Sequence, residues 1–290
     1  NTGPGHQGFQ CRSDPQVTLE EDLGRRDLTI NAIAESETGA LIDPFGGRND
    51  LEARCLRHVS SAFGEDPLRI FRVARFKAKF HHLDFSVHPG TTGLIKTMVA
   101  NREHEELSAE RILLEINKAL ATRNPAEFFR YLTEVGADSI LWPEITDTAI
   151  NRLATTSAVN PETRFAILLQ DLAPDEIRIL CQRVKTSRIR LEVTTLIATW
   201  IATWSRLEKL SPAARVELIL QADGIRRATR FRSFNLACDE ITGLGLNHYW
   251  QKIRDTMSAV KADDLKVKAS GPELGELIQQ EQIRRIGELD

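Results

Sequence analysis

The sequence predicts a mainly α-helical protein with a small mixed α+β portion at its N-terminal end. One kind of helix-start signal, a capping residue followed by proline, recurs at Asp66-Pro67, Asn124-Pro125, Asn160-Pro161 and Ser211-Pro212. Aromatic residues are sparse, at 6% of the chain, and strand-like runs are few after its first quarter. Short apolar runs closed by turn residues are confined to the part before Ser60.

The 290 residues allow one or two ordinary domains and a sizeable core. A hydrophobic share of 41% beside a charged share of 27% is that of a soluble globular protein. A formal charge of −3 argues against a generic nucleic-acid binder, so any RNA contact must rest on local patches. Cys11, Cys55, Cys181 and Cys238 are far apart and show no C-x-x-C spacing, which points to reduced thiols of a cytoplasmic protein and away from zinc. No run reaches the roughly 18 apolar residues of a membrane span, and no signal peptide is present, so no membrane partner is expected. The oligomeric state is left open.

In chain order, Gly3, Pro4, Gly5 and Gly8 form a turn-rich opening, read either as a mobile loop or as a ligand-touching one. Residues 15–19 suit a strand or a loop. A helix is expected over 22–34, with apolar positions at Leu23, Ile30, Ala32, Ile33 and Ala34. Residues 40–42 read as a brief strand closed by the turn Asp43-Pro44-Phe45-Gly46-Gly47, and 56–59 as a second. From Asp66-Pro67 a helix can run to Phe80, and another runs from Ser108 through Ala121. Asn124-Pro125 opens a helix that Gly136 ends, and Gly224 is the expected stop of the helix opened by Ser211-Pro212. No fixed-period repeat is found.

Polar groups concentrate in 25–75. Asp66 and Arg69, three apart on a helix, lie about 60° from one another around its axis and can face one planar partner. A carboxylate accepts from the exocyclic amine of cytosine or adenine, and a guanidinium donates to the neighbouring ring atom. The alternative is an ordinary N-cap beside a solvated arginine. Arg72 and Arg75 extend the row. Cations set so close repel one another unless an anion sits against them, and phosphate fits the Arg fork; a face paired with acids from elsewhere would serve as well. Asp27 and Asn31, four apart, share a face suited to a ribose hydroxyl, with Arg26 placed for phosphate.

Arg25-Arg26-Asp27-Leu28-Thr29-Ile30-Asn31-Ala32-Ile33-Ala34, Ile42-Asp43-Pro44-Phe45-Gly46-Gly47 with Asp50-Leu51, Leu56-Arg57-His58-Val59 and Glu65-Asp66-Pro67-Leu68-Arg69 stand in an order and spacing that closely resemble class II tRNA nucleotidyltransferases, the CCA-adding enzymes. The likeness is strongest over 1–145, fades beyond, and returns at Gly271-Pro272-Glu273-Leu274-Gly275. It implies the remnant of a polymerase-β-like nucleotidyltransferase head (1–59), a helical neck with the base-reading motif (60–125), and a helical body and tail that bind tRNA (126–290). By the resemblance, Asp66 and Arg69 read the base of CTP or ATP, Arg26, Arg72 and Arg75 contribute to nucleotide binding, and Asp27 with Asn31 lie near the ribose.

Two departures qualify it. The family's Gly-Gly-x-x-Arg-Asp segment and its Asp-x-Asp pair, which holds the catalytic Mg2+ ions, are absent and are expected upstream of Asn1. The chain is accordingly expected to contain no catalytic carboxylate and no metal site of its own, and to be inactive without that segment. Where some bacterial members carry a His-Asp phosphohydrolase motif, this chain has Gln170-Asp171, so that second activity is not expected. Bacterial poly(A) polymerase, which shares the same motifs, and a non-catalytic RNA-binding helical remnant are the alternatives.

Overall fold

The computed structural model describes residues 17–139, 141–265 and 270–289. The glycine cluster near the N-terminus and Cys11 lie outside them. The chain divides into two compact units: 1–155 with 180–185, and 156–179 with 186–290.

The first unit begins with helix α1 (Leu19–Gly24), started by a reciprocal capping box between Thr18 and Glu21. The Thr-x-x-Glu signal lies four residues before the expected helix start. The helix expected over 22–34 does not form. After Gly24 the chain turns, and Thr29–Asn31 make a single 3-10 turn. Tertiary pairing overrides helix propensity here: Leu28 bridges His58 and the Thr29 amide donates to the Arg57 carbonyl at 2.9 Å, with Leu28 fully buried.

Strand β1 (Ala34–Glu35) pairs antiparallel with β2 (Leu41–Ile42), Ala34 opposite Ile42. Helix α2 (Gly47–Glu52) follows, then β3 (Cys55–Leu56). The strand expected over 56–59 is thus two residues long and ends at Leu56, and its partner is non-local: β3 runs parallel to β4 (Ser86–Val87), which lies beyond the next helix.

That helix, α3 (Leu68–Phe80), is the spine of the unit. Ile70, Phe71, Val73, Ala74, Phe76 and Ala78 are all buried on it. It packs against α5 (Ala109–Leu120) and α6 (Ala126–Val135), with α4 (Pro89–Ala100) and α7 (Asp147–Thr155) flanking α6. Phe128, Phe129 and Trp142 close the core through edge and tilted ring contacts at 5.1–6.3 Å. Gly136 ends α6 in the left-handed region, at φ 77°, as its position requires.

The second unit holds α8 (Pro161–Leu169), the first part of α9 (Pro174–Arg183), α10 (Arg188–Trp204), α11 (Pro212–Gln221), α12 (Ala228–Thr242), α13 (Asn247–Ala259) and α14 (Gly271–Gly287). Asn160 and Ser211 cap α8 and α11 through their side chains. The stop after α11 differs from expectation. Asp223, not Gly224, takes the left-handed conformation at φ 52°, while the Gly224 amide donates back to Ile219 O at 2.8 Å. Position 224 needs glycine for another reason: a Cβ there would lie 2.9 Å from the Phe231 ring and 3.1 Å from Ile219 O.

The core of this unit gathers Ile197, Trp204, Ile219, Phe231, Phe234, Trp250 and Met257. Its polar atoms are satisfied internally: Trp204 Nε1 donates to Asn235 Oδ1 at 2.8 Å, and Trp250 Nε1 to Trp204 O at 3.1 Å. No helix among the described residues is long and apolar enough to cross a membrane.

Candidate functional site

The polar residues of 25–75 converge in the first unit, on the turn after α1 and the first half of α3. The turn is held by close backbone approach. A Cβ on Gly47 would stand 2.2 Å from Thr29 O, so only glycine lets α2 meet the 3-10 turn. Asp43 accepts from the amides of Gly47 (2.7 Å) and Arg48 (2.9 Å), serving the first turn of α2. Asp50, buried, accepts from the Thr29 hydroxyl at 2.7 Å and from Arg57 Nε at 3.0 Å, and Arg57 reaches on to His88 at 2.8 Å.

Asp27 and Asn31 are not on one helix face, since no helix spans them, yet the turn brings them together. Asp27 Oδ1 accepts from Asn31 Nδ2 and from the Leu28 amide, both at 2.9 Å. Its other oxygen takes Arg72 Nε at 2.7 Å and a terminal nitrogen at 2.6 Å. Burial alone would raise the Asp27 pKa, but the Asn31 amide and the Arg72 guanidinium outweigh it and hold the carboxyl below its ordinary value. Arg26 bends back to Asn31 O (3.1 Å) and Asp22 (3.2 Å).

Of the two readings of the arginine row, the structure shows the one with acids from elsewhere at Arg72 and Arg75. Arg72 is claimed by Asp27. Arg75 is claimed by Glu115, whose side chain is 1% exposed, while Arg75 itself is 13% exposed and lies 4.2 Å over the Phe76 ring. Lys118 completes that cluster at 2.9 Å from Glu115. Burial pushes the Glu115 carboxyl up, and its two cations more than compensate, leaving it below the ordinary range. Arg75 therefore ties α3 to α5.

Asp66 and Arg69 are each held by a separate support. Asp66 accepts from the Leu68 amide at 3.1 Å, as an N-cap does, and from Arg111 at 2.9 and 3.1 Å. Arg69 donates one terminal nitrogen to Ala62 O and the other to Arg25 O, over the Phe63 ring. Burial lowers its pKa, with Asp66, Asp27 and Glu65 acting in the opposite direction. The side chain links the turn before α3 to the turn after α1.

Arg111 and Glu115 escaped the sequence reading, although α5 carries a signal. Glu115 falls among Ile112, Ile116 and Ala119 on the buried face, where a lone carboxylate needs a partner. Arg111 lies one turn before it.

Comparison with known proteins gives concordant results. Residues 5–57 match the family described as "Poly A polymerase head domain", and 84–148 the one described as "Probable RNA and SrmB- binding site of polymerase A". A CCA-adding enzyme of Coxiella burnetii is 41% identical over 266 residues, covering 90% of this chain and 70% of the relative. The chain belongs to the CCA-adding enzymes. A multifunctional CCA protein of Pseudomonas putida is 40% identical over 296 residues, covering 98% of this chain and 80% of its own length. Among solved structures, the Bacillus stearothermophilus CCA-adding enzyme in complex with CTP superposes with a TM-score of 0.68 at 27% identity, covering 93% of this chain and 70% of that one. An apo CCA-adding enzyme reaches 0.71 at 22% identity, covering 94% and 69%, which speaks for the fold. The relatives are CCA-adding proteins, so the membership does not favour the poly(A) polymerase or the non-catalytic alternative.

Nucleotidyltransferases of this family generally use a divalent metal. The carboxylates around the site do not fit one. Asp27, Asp43, Asp50 and Asp66 are each engaged by donors of the fold, and no group of three His, Cys, Asp or Glu among the described residues is placed to hold an ion. No chemical step is assigned to them through a metal.

Proposed function

We propose that the chain selects and binds CTP and ATP for template-independent addition of C and A to the 3′ end of tRNA, with residues 1–59 as the head portion, 60–125 as the neck and 126–290 as body and tail. Magnesium assistance to the transfer would come through carboxylates that the described residues do not supply, and a cytoplasmic location goes with the reading. The observation that carries the reading is the paired support of Asp66 and Arg69.

A guanidinium has five N–H donors, and Arg69 spends two on main-chain carbonyls, leaving three in a fixed plane. A carboxylate offers about four acceptor positions, and Arg111 with the Leu68 amide leaves one free on Asp66. Cytosine and adenine both present an exocyclic amine beside a bare ring nitrogen, which matches a fixed acceptor beside a fixed donor. Uracil and guanine present a carbonyl and a ring N–H there and leave both protein groups opposed. Oriented by the fold before the base arrives, such a pair discriminates without a nucleic-acid template. Asp27 and Asn31 are assigned to the ribose, and Arg26 and Arg72 to phosphate; Arg75 serves the site by anchoring α3.

The test is equilibrium binding of the four nucleoside triphosphates. Asp66→Ala or Arg69→Ala should erode the preference for CTP and ATP over UTP and GTP by about 1–3 kcal/mol, the worth of a bidentate base contact. Unchanged selectivity in both variants would sink the assignment.

A further inference from the structure

His104 sits on a 3-10 turn (Glu103–Glu106) between α4 and α5. It is 2% exposed, and neither ring nitrogen has a hydrogen-bond partner among the described residues. A neutral imidazole carries one donor and one acceptor, and burying both unpaired costs free energy even at neutral pH. The turn is entered through Arg102 in the left-handed region, at φ 60°, a conformation uncommon for any residue but glycine. Two local costs thus fall side by side in one short segment.

The polar contacts within that segment are weak ones. Arg102 pairs with Glu105, and Asn101 donates to Glu103 at 3.1 Å, both in contact with water. Helix α4 packs against the turn and carries one charged residue, Lys96, which is exposed. Burial holds the His104 ring below its ordinary pKa, with Glu105 and Glu103 of the turn opposing and Arg102 assisting.

The turn leads directly into α5. Ser108 gives that helix no side-chain cap, and the amides of Arg111 and Ile112 donate to the Ser108 carbonyl at 3.1 and 3.3 Å. Arg111, in this first turn of α5, is the residue that holds Asp66 at 2.9 Å. The aim of Asp66 therefore depends on a segment that carries its own strain.

We propose that His104 is a proton-operated latch on nucleotide selection. Neutral, the ring packs the 101–107 segment against α4 and fixes the start of α5. Protonated, it leaves the interior for water, the turn opens, and Arg111 loses its fixed hold on Asp66. The effect on base choice rests on the reading of Asp66 as a base-contacting group; the opening of the turn does not. Above about pH 6.5, the ordinary pKa of histidine, the ring is neutral in both forms and the latch is shut. Below it, the open form takes up a proton that the buried ring refuses. Opening then gains up to about tenfold per pH unit until the lower folded value is passed.

The experiment compares the full chain with His104→Leu and His104→Gln on either side of the histidine pKa, at about pH 7.5 and about pH 5.5. Amide hydrogen exchange is read over residues 101–115, and CTP and UTP binding is measured in parallel. Between the two conditions, protection in the parent should fall about tenfold further than in either variant. The parent's preference for CTP over UTP should shrink with it, while both variants keep theirs. Leucine removes the orphaned polar atoms and glutamine keeps polarity without the titration, so either variant that folds carries the test. His58, also held below its ordinary value by burial, is present in all three chains and cancels. An equal fall in protection in parent and variants overturns the latch. A parent whose turn opens in acid with its CTP preference intact overturns the coupling to Asp66. A parent without CTP preference even at the higher pH overturns the base-reading assignment, and the exchange data still decide the turn.

Discussion

In the first unit, Asp27 and Asp66 each take an arginine 45 positions away, and Glu115 takes one 40 positions away. In the second, Arg178, Arg188 and Arg284 take acids within one turn of the same helix and Arg226 takes Asp223 three positions before it, beside the longer-range pairs of Arg190 with Glu162 and of Arg227 and Arg230 with Glu192. The geometry of the two kinds differs as much as the spacing. The first kind joins separate elements and is largely withdrawn from water: the side chains of Asp27 and Glu115 are 4% and 1% exposed. The second kind covers single helices and leaves the arginines mostly in solvent. Long-range pairs fix the relative position of turn, α3 and α5, and hence of the groups assigned to nucleotide. Local pairs cancel charge without positioning anything.

The contrast predicts graded effects. Glu115→Ala should be the most damaging, because it strands Arg75 and Lys118 beside a buried face. Breaking one side of a buried pair costs about 3–5 kcal/mol, to be read from the denaturant midpoint at constant m-value; a loss comparable to that of a surface pair would mean that burial does not set the strength of these contacts.

Arg72→Ala comes next. If the arginine acts on phosphate, CTP and ATP should weaken alike, by about 1.5–3 kcal/mol for a charged hydrogen bond. Arg72→Lys should restore part of this, since it keeps the charge and loses the fork. Damage to one nucleotide alone would contradict the phosphate role.

Acid should act on the buried long-range pairs. The carboxyls of Asp27 and Glu115 lie below their ordinary values in the folded state. Their contribution is therefore fully present above the unfolded pKa of about 4 and is lost as pH falls through the lower folded value. Asp27→Asn should flatten the decline of stability below about pH 4, although it lowers stability at neutral pH. An unchanged slope would show that Asp27 binds its proton equally in both states.

Lys185→Ala should have the smallest effect. Its pair with Glu110 has both side chains more than half exposed, so the expected loss is below about 1 kcal/mol and should vanish in high salt. A larger loss would mean that exposure to water does not weaken such a pair.

Much of this was legible in the residues alone. The motif order identified the family, and a capping residue before proline located α3, α6, α8 and α11 to within two residues, because such a pair satisfies orphan amides locally, whatever the chain does elsewhere. Local chemistry also called for glycine at 136. What lay beyond the sequence depended on distant partners. Leu28 and Thr29 abandon a helix because Arg57 and His58 offer hydrogen bonds that helix propensity cannot foresee. Arg75 looks like a phosphate ligand until Glu115, 40 positions on, takes it into the α3–α5 contact. Asp66 and Arg69 were visible as a pair, but the groups that aim them, Arg111 and the carbonyls of Ala62 and Arg25, are brought there only by packing. Helix starts are decided within one turn of chain, whereas the direction of a charged side chain is decided by whichever opposite charge the fold places within reach.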